Sequence, residues 1–465
     1  MGGGLNAALN SGRTALQTNQ KAIEITGLNI ANVNTEGYSR QTPSLTPYPA
    51  LNFGDFFIGT GVQVGSVQRS HDVFLDGQIK GKSAEVGFEN SMASPLAELE
   101  RVTGIGDGSL SDEFDQFFDS WRQLSTNPGG EVERQAVLQQ GELIGNAFVN
   151  AYNETQQVVK NINNTIVSKV DGVNLRLDEI AQLNNRISAI EMSGQEANSD
   201  RDRRDLLLKD LSESIGARSF ETSTGTVSVQ LANGMPLVEG DKATHIVSVY
   251  SGTDVNLELD FGTTSIPLDR TALGGEFRGL YEVRDVTIPG VVDRLDQLAY
   301  TFATEINSQH QAGNDLNGNP GQDFFVQPAA VAGASASLAM NITQTSEIAT
   351  GTTPPPGAPG DNTNALAILD LEQQSLAGLG GNDTLVSYYG KIAATVGVEA
   401  ARNRQAQQGY EDSLIQLQNM RDGIDGVSLD DEMINLMQYQ KGFEASAKFL
   451  STIDEMMETL LTLKR

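Results

Sequence analysis

Residues 5–30 read LNAALNSGRTALQTNQKAIEITGLNI. Leu5, Leu9, Gly12, Leu16, Asn19, Ile23, Thr26 and Ile30 alternate spacings of four and three, with Ala8, Ala15 and Ala22 beside them. This is a heptad pattern, one stripe along one side of a helix. Gly12 and Gly27 each weaken such a helix by about 1 kcal/mol relative to alanine. Its stability must come from packing the apolar stripe, because isolated helices of this length are marginal in water. The stretch therefore predicts a helix that needs a partner, placed at a terminus where most chains fray.

The opposite end answers it. Ser428-Leu429-Asp430-Asp431 is arranged like a capping box, with Asp in place of the usual Glu. From there Leu429, Met433, Leu436, Gln440, Phe443, Ala447, Leu450, Asp454, Met457 and Leu461 again alternate four and three. Gln440 and Asp454 are polar breaks in the seam, and Ile453 and Leu460 sit beside it. One reading packs each helix on the protein's own core. The other pairs the two terminal helices with each other and with copies in neighbouring subunits; their position at both extremes of the chain favours it.

Between the ends the organisation is nested. ANVNTEGYSRQ (31–41) breaks the first helix with a polar, turn-rich segment, and residues 36–70 read as extended, with a short alternating strand over 61–68. Helical patterns follow at about 72–103, 111–125, 130–192 and 204–214. From Ala217 to about Arg270 the chain is rich in Val, Thr, Ser and Gly, and Asn233-Gly234 is a strong hairpin signal. Helix returns after Pro289 and again over 384–422. Residues 311–365, including Pro354-Pro355-Pro356, read as irregular with one strand at 336–341. The expected fold class is mainly α with a β-rich insertion. Residues 1–35 and 425–465 would form a coiled-coil-like terminal-helix assembly domain. Residues 36–215 and 276–424 would form an inner helical-bundle domain with extended segments, and 216–275 an outer small β domain.

Composition narrows the function. The chain has 465 residues, a net charge of −29 and no cysteine. A strongly acidic surface repels phosphate backbones, which argues against nucleic-acid binding. Residues 1–60 balance Arg13, Lys21 and Arg40 against Glu24, Glu36 and Asp55, so the acidity lies in the body. Disulfides, thiolate metal sites and cysteine nucleophiles are excluded. No Sec-type signal, myristoylation signal or membrane-spanning apolar run is expected.

Chemistry is sparse. His71, His245 and His310 have no second histidine at ligand spacing. No GxSxG elbow or phosphate-cradling loop is present. The segment from Asn314 to Asp323 resembles a calcium loop, but Pro320 stands where the glycine should be and Val326 where the bidentate Glu should be; an Asx turn is expected. Acid pairs such as Glu98/Glu100 and Asp112/Glu113 read as solvated faces or helix starts. Asp200-Arg201-Asp202-Arg203-Arg204-Asp205 reads as a solvated, charge-paired turn or helix start. No catalytic residue, cofactor or metal is expected, and this emptiness points to a structural role.

Several segments resemble one family. ANVNTEGYSRQ, and within it Asn32, Thr35, Gly37, Tyr38, Ser39, Arg40 and Gln41, is similar to the N-terminal signature of bacterial flagellar axial proteins. Its YSRQ ending, GTGVQVGSVQRSHDVFLDGQ (59–78) and IAQLNNRISAIEMSGQEANSDRDRRDLLLKDLSESIG (180–216) resemble the flagellar hook-associated protein 1 family. GNDLNGNPGQDFF (313–325) and GDNTNALAILDLE (360–372) match its pattern too. The C-terminal SLDDEMINLMQYQKGFEASAKFLSTIDEMMETLL (428–461) is shared in kind with hook and rod proteins.

The resemblance implies a non-enzymatic subunit that is exported unfolded through the flagellar type III system and polymerises at the hook tip as a junction to the filament. Its terminal helices would line the inner tube. It further implies self-association, contact with hook protein and the next hook-associated protein, and an export chaperone. The packing residues would be Leu5, Leu9, Leu16, Ile23, Ile30, Met433, Leu436, Phe443, Leu450, Met457 and Leu461. The apolar ends would be unpaired in the monomer and ordered by assembly. A hook or rod subunit is the alternative within this class; outside it stand a free coiled-coil adaptor, with termini already helical in the monomer, and a secreted cell-wall hydrolase.

Overall fold

The structure, a computed structural model, describes residues 2–52, 57–222, 225–353 and 360–463. The first helix, α1 (Gly2–Ala31), leads into a ribbon of β1 (Gln41–Pro47) and β4 (Val62–Arg69), which pair antiparallel. A small hairpin of β2 (Leu51–Asn52) and β3 (Phe57–Ile58) lies between them. The helical body follows: α2 (Val73–Val102), α3 (Leu110–Thr126), α4 (Glu131–Met192) and α5 (Asn198–Ile215). Local chemistry starts and stops these helices. The Asp72 carboxylate accepts from the Phe74 and Leu75 amides at the start of α2, and Ser109 accepts from Asp112 at the start of α3. Gly216 ends α5 in the left-handed region, φ 66°, with its Cβ position pressed against the Gly274 backbone.

Seven strands form the inserted region. β5 (Arg218–Glu221), β6 (Val227–Gln230), β7 (Pro236–Glu239) and β8 (Lys242–Ala243) make one antiparallel sheet in sequence order. β9 (His245–Ser251), β10 (Asp254–Asp260) and β11 (Ser265–Leu268) make the second, with β10 central. The 62-residue α4 is their spine. Three of its asparagines act as substitute strand partners. Asn184 donates to the carbonyls of Val227 and Gly240 and accepts the Val227 amide. Asn174 brackets Ile246, donating to its carbonyl and accepting its amide at 2.8 and 2.9 Å. Asn163 donates to Thr253 and accepts from Val255. Each side chain satisfies backbone groups that would otherwise cost about 1–3 kcal/mol when buried unpaired.

The chain returns through α6 (Gly275–Glu282), a π-turn at Val283–Thr287, and α7 (Ile288–Gln311). The short helices α8 (Ala334–Ser337) and α9 (Thr363–Asp370) punctuate an otherwise irregular stretch, then α10 (Leu385–Asp425) and α11 (Leu429–Leu463) close the fold. A helix, not a strand, occupies 334–337, and only Met340 bridges to Phe325. Pro354-Pro355-Pro356 lies outside the described residues. The core of the body is aromatic: Phe114, Phe117, Phe148, Phe302 and Phe325 are fully buried, with Phe302 5.2 Å from Phe114 and 5.1 Å from Phe325. Buried Arg134 ties the irregular stretch to α4 by donating to the carbonyls of Thr345 and Ile348, each at 2.9 Å.

Two expectations are corrected here. The terminal helices are not left unpaired in the single chain. Gly12 lies against Leu450, Gly442 against Asn19, and Asn29 bonds Glu432, so α1 and α11 run antiparallel in close register. The charged run 200–205 starts a helix and is charge-paired, as expected, but only part of it is solvated: Arg203 is exposed, whereas Asp202 and Arg204 are buried. It lies in α5, where Asp202 is 7% and Arg204 1% exposed. Asp202 is met there by specific partners, described next, and the Arg204 guanidinium bonds Asn184 and the Gly225 carbonyl.

Candidate functional site: the terminal-helix pair and its anchor

The sequence-predicted packing residues take up graded positions. Leu5, Leu9, Leu16, Ile23 and Ile30 of α1 and Leu436, Phe443, Leu450 and Met457 of α11 are half-buried. Met433 is 48% exposed, and Gln440 and Asp454 point to solvent. The inward positions of α11 include Glu432 and Ile453, each one residue before a position in the expected frame. Shifting alternate positions by one removes both polar breaks from the seam, since a helix facing a single partner needs a stripe, not a fixed frame. The backbone at Leu461 is helical, and its side chain lies outside the described ones.

The helices approach closely where side chains are small. A Cβ on Gly12 would come within 3.0 Å of Leu450 and Phe449, and one on Gly442 within 2.6 Å of the Asn19 carboxamide. Gly27, by contrast, faces open space. On its other side α1 meets the ribbon, where the Thr18 hydroxyl donates to the Val62 carbonyl at 3.0 Å.

α11 leaves Met433, Ile434, Met437, Phe449 and Met456 between 48% and 58% exposed, with Phe449 at the edge of the seam beside Gly12.

The motif residues 32–41 form the anchor that joins this pair to the body. Asn32 ends α1, its side chain donating to the Leu28 carbonyl and accepting from the Thr35 hydroxyl. Gly37 turns with φ 79°, a conformation open to glycine. Buried Asn29 sits at the centre. Its amide donates to the Gln41 carbonyl at 2.8 Å and to Glu432 at 3.1 Å. Its oxygen accepts the Gln41 amide at 3.0 Å and the Tyr38 hydroxyl at 2.9 Å. All its bonding capacity is used. Arg40 donates to Glu432 at 2.7 Å, and its backbone amide donates to the Asp425 carbonyl at 2.8 Å. The Asp425 carboxylate in turn accepts from the Ser70 hydroxyl and the Asp72 amide. α1, the ribbon, α2, α10 and α11 therefore meet at one knot of polar groups.

α5 completes the knot. The Ser39 amide donates to Asp202, and Arg69 of the ribbon pairs with Asp202 at 2.9 Å and Asp205 at 2.7 Å. Burial pushes the Asp205 carboxyl up, but Arg69, Lys80 and His71 outweigh it and hold it below the ordinary carboxylate range. The Tyr38 phenol is pushed up to about 12 by burial and by the nearby Asp202 and Glu432 charges. Lys209 reaches Glu36 at 3.0 Å. Asn29, Arg69, Asp202, Asp425 and Glu432 escaped the sequence reading. The available signal was weak: Asn29 and Glu432 are polar residues beside the heptad stripes, and Asp202 looked like one charge among many.

His310 is buried, its Nε2 accepting the Ala349 amide and its Nδ1 donating to the Gln322 carbonyl. His245 lies 2.9 Å from Asp178 on the surface. Asp315 accepts from the amides of Asn317 and Asn319, an Asx turn. Among the described residues no cluster of His, Cys, Asp or Glu could hold a metal ion, and no helix is long and apolar enough to cross a membrane.

Three family models match separate stretches of the chain. Residues 96–325 match the family described as flagellar hook-associated protein FlgK helical domain. Residues 9–38 match the family described as flagella basal body rod protein, and 425–463 the C-terminal family of basal body rod FlgEFG proteins. The chain is 27% identical to flagellar hook-associated protein 1 of Bacillus subtilis, covering 97% of each. It is 25% identical to the Escherichia coli protein of the same name, covering 99% of this chain and all of the relative. The flagellar hook junction protein FlgK from Burkholderia pseudomallei has a similar fold, with a TM-score of 0.68 and 15% identity over 75% of this chain and all of that one. Ends shared with rod proteins, a hook-associated helical domain between them, and similarity across nearly the whole length have one common account: the chain belongs to the flagellar hook-associated protein 1 family.

Proposed function

We propose that this protein is a structural subunit of the bacterial flagellum that polymerises at the hook tip and joins hook to filament. The observation that carries the reading is the antiparallel α1–α11 pair. It spends its half-buried seam within the chain and still presents Met433, Ile434, Met437, Phe449 and Met456 outward. Burying one such side chain contributes about 1.5–3 kcal/mol before ordering costs. Several per subunit, repeated around a helical tube, offset the association entropy. On this reading residues 1–35 and 425–465 are the assembly domain, 36–215 and 276–424 the helical body, and 216–275 an outer β module. The polar knot at Asn29 fixes the angle at which the pair leaves the body.

Further parts of the proposal follow from the family. The subunit has no enzymatic activity, leaves the cell through the flagellar type III system, and resides outside the cell at the hook–filament junction. It contacts hook protein on one side and the next hook-associated protein on the other, and an export chaperone keeps it soluble before assembly. Deleting residues 428–465 tests the reading. The truncated chain keeps a folded body and fails to join filaments to hooks; normal joining by the truncation overturns it. Immunogold labelling separates the junction from a hook subunit, which would decorate the whole hook.

A further inference from the structure

A cleft of about 750 Å³ opens between the N-terminal half of α2, α5, the start of the β module and the segment 271–278. Its floor along α2 is unusually low. Gly77 and Gly81 are exposed and have nothing within 4 Å of a Cβ position, and Ala84 continues the line. Val73, 72% exposed, stands at one end and Phe88 at the other. The next turns of the same helix are packed tightly instead: Gly87 would drive a Cβ to 2.2 Å from the Glu213 carbonyl oxygen. The glycines at 77 and 81 therefore serve no contact within the chain.

The charges around the cleft are uneven in their engagement. Each acid that lines it already has a partner. Asp76 pairs with Lys80 and Asp205 with Arg69, at 2.6 and 2.7 Å. Glu85 pairs with Lys82, Glu89 accepts from Asn403, and Glu221 pairs with Arg201. Arg218 and Arg278 on the rim form no ion pair among the described residues; Arg278 only lies over the Phe88 ring, 5.4 Å from its centre. Deeper in, Arg204 is 1% exposed; its Nη1 bonds Asn184 and Gly225 and its Nη2 lies 3.8 Å from Glu221, but its Nε–H has no acceptor among the described residues. Free guanidinium donors around a narrow, small-residue groove suit a carboxylate-bearing segment, because the planar fork bonds carboxylates at short range.

We infer that this cleft docks an acidic segment of a second copy of the chain, a contact of the body additional to the terminal-helix tube. The inference rests on the reading that the protein polymerises. A second copy fits because the chain carries 60 acids against 31 bases, so nearly any face it offers is acidic. Two such acidic bodies repel at close approach, and free arginines at one contact give that approach a direction.

The test uses the full chain and two independent variants. R218E/R278E reverses the rim charge, and Gly81→Phe fills the groove at a position with room for a side chain. Circular dichroism and the thermal midpoint of each monomer should match the wild type. Polymerisation followed by light scattering and electron microscopy should show the critical concentration raised roughly tenfold or more in both. The wild type should lose more of its assembly rate on adding salt than R218E/R278E does. Wild-type polymerisation by both folded variants overturns the proposal, and so does a partner segment that comes from another protein, since both variants would then self-assemble normally. Failure of the wild-type chain to assemble even on added hook ends overturns the functional reading itself, and this contact with it.

Discussion

Replacing Asn29 by alanine removes the centre of the knot, including its bond across the α1–α11 pair to Glu432, and leaves the apolar side chains of both helices in place. The buried amide and carbonyl of Gln41 lose their only side-chain partners, and Glu432 keeps one bond, from Arg40. An orphaned buried polar group costs about 1–3 kcal/mol. The half-exposed Tyr38 hydroxyl regains water, so the two Gln41 groups dominate. Together they place the cost at about 3 kcal/mol, roughly a hundredfold in the opening equilibrium of the joint. The strain is local, because the aromatic core of the body is untouched. Native-state amide exchange reads it directly. Amides in the second half of α1 and the first half of α11 should exchange roughly a hundredfold faster, and those of α4 should change by less than about threefold. Unchanged exchange in α1 and α11 would refute the idea that this knot holds the pair. Equal acceleration throughout α4 would refute its being local.

Other expectations concern the same elements. Gly27→Ala, at a helical glycine facing open space, should stabilise α1 by about 0.5–1 kcal/mol in exchange measurements; a loss of stability would show that the position is constrained. Gly442→Leu forces the helices apart at Asn19 and should expose both seams to exchange while sparing the body, and full protection in that variant would disprove the close approach. The Asp205 carboxyl is held below its unfolded value, so its contribution to stability is complete above about pH 4 and is lost as pH falls through the lower, folded value. The thermal midpoint should therefore fall on acidification below about pH 4, and Asp205→Asn should flatten that part of the profile; an equally steep profile in the variant would assign the acid sensitivity elsewhere.

Periodicity made the long helices legible. The stripes of α1, α4 and α11 are apolar residues recurring at helical spacing, and α4 runs from Glu131 to Met192, close to the expected 130–192. The β-rich insertion was visible in its Val and Thr content and in Asn233-Gly234. What the sequence concealed was polar. The asparagines at 163, 174 and 184 look like ordinary solvent-facing helix residues, yet each dresses a strand edge. Asp202 and Arg204 sit in a run whose composition is that of a surface, and only the arrival of Arg69, Ser39, Asn184 and Gly225 from distant segments explains their burial. Hydrophobic spacing records which face of a helix is inside. It carries no record of which far residue will meet a buried charge. The same limit explains the heptad of α11: Glu432 is an inward position because Arg40 and Asn29 wait for it.

The central claim is that the outward side of α11 becomes a subunit contact. The absence of native cysteine allows a direct measurement by single-cysteine labelling. Met433→Cys, Met437→Cys and Met456→Cys place thiols on that side, and Val132→Cys, at a position 79% exposed on the body, serves as the reference. All four should react rapidly with a thiol reagent in the free monomer. After assembly the three α11 sites should be blocked while the Val132 site still reacts. Equal labelling of all four sites in the assembled state would contradict the account.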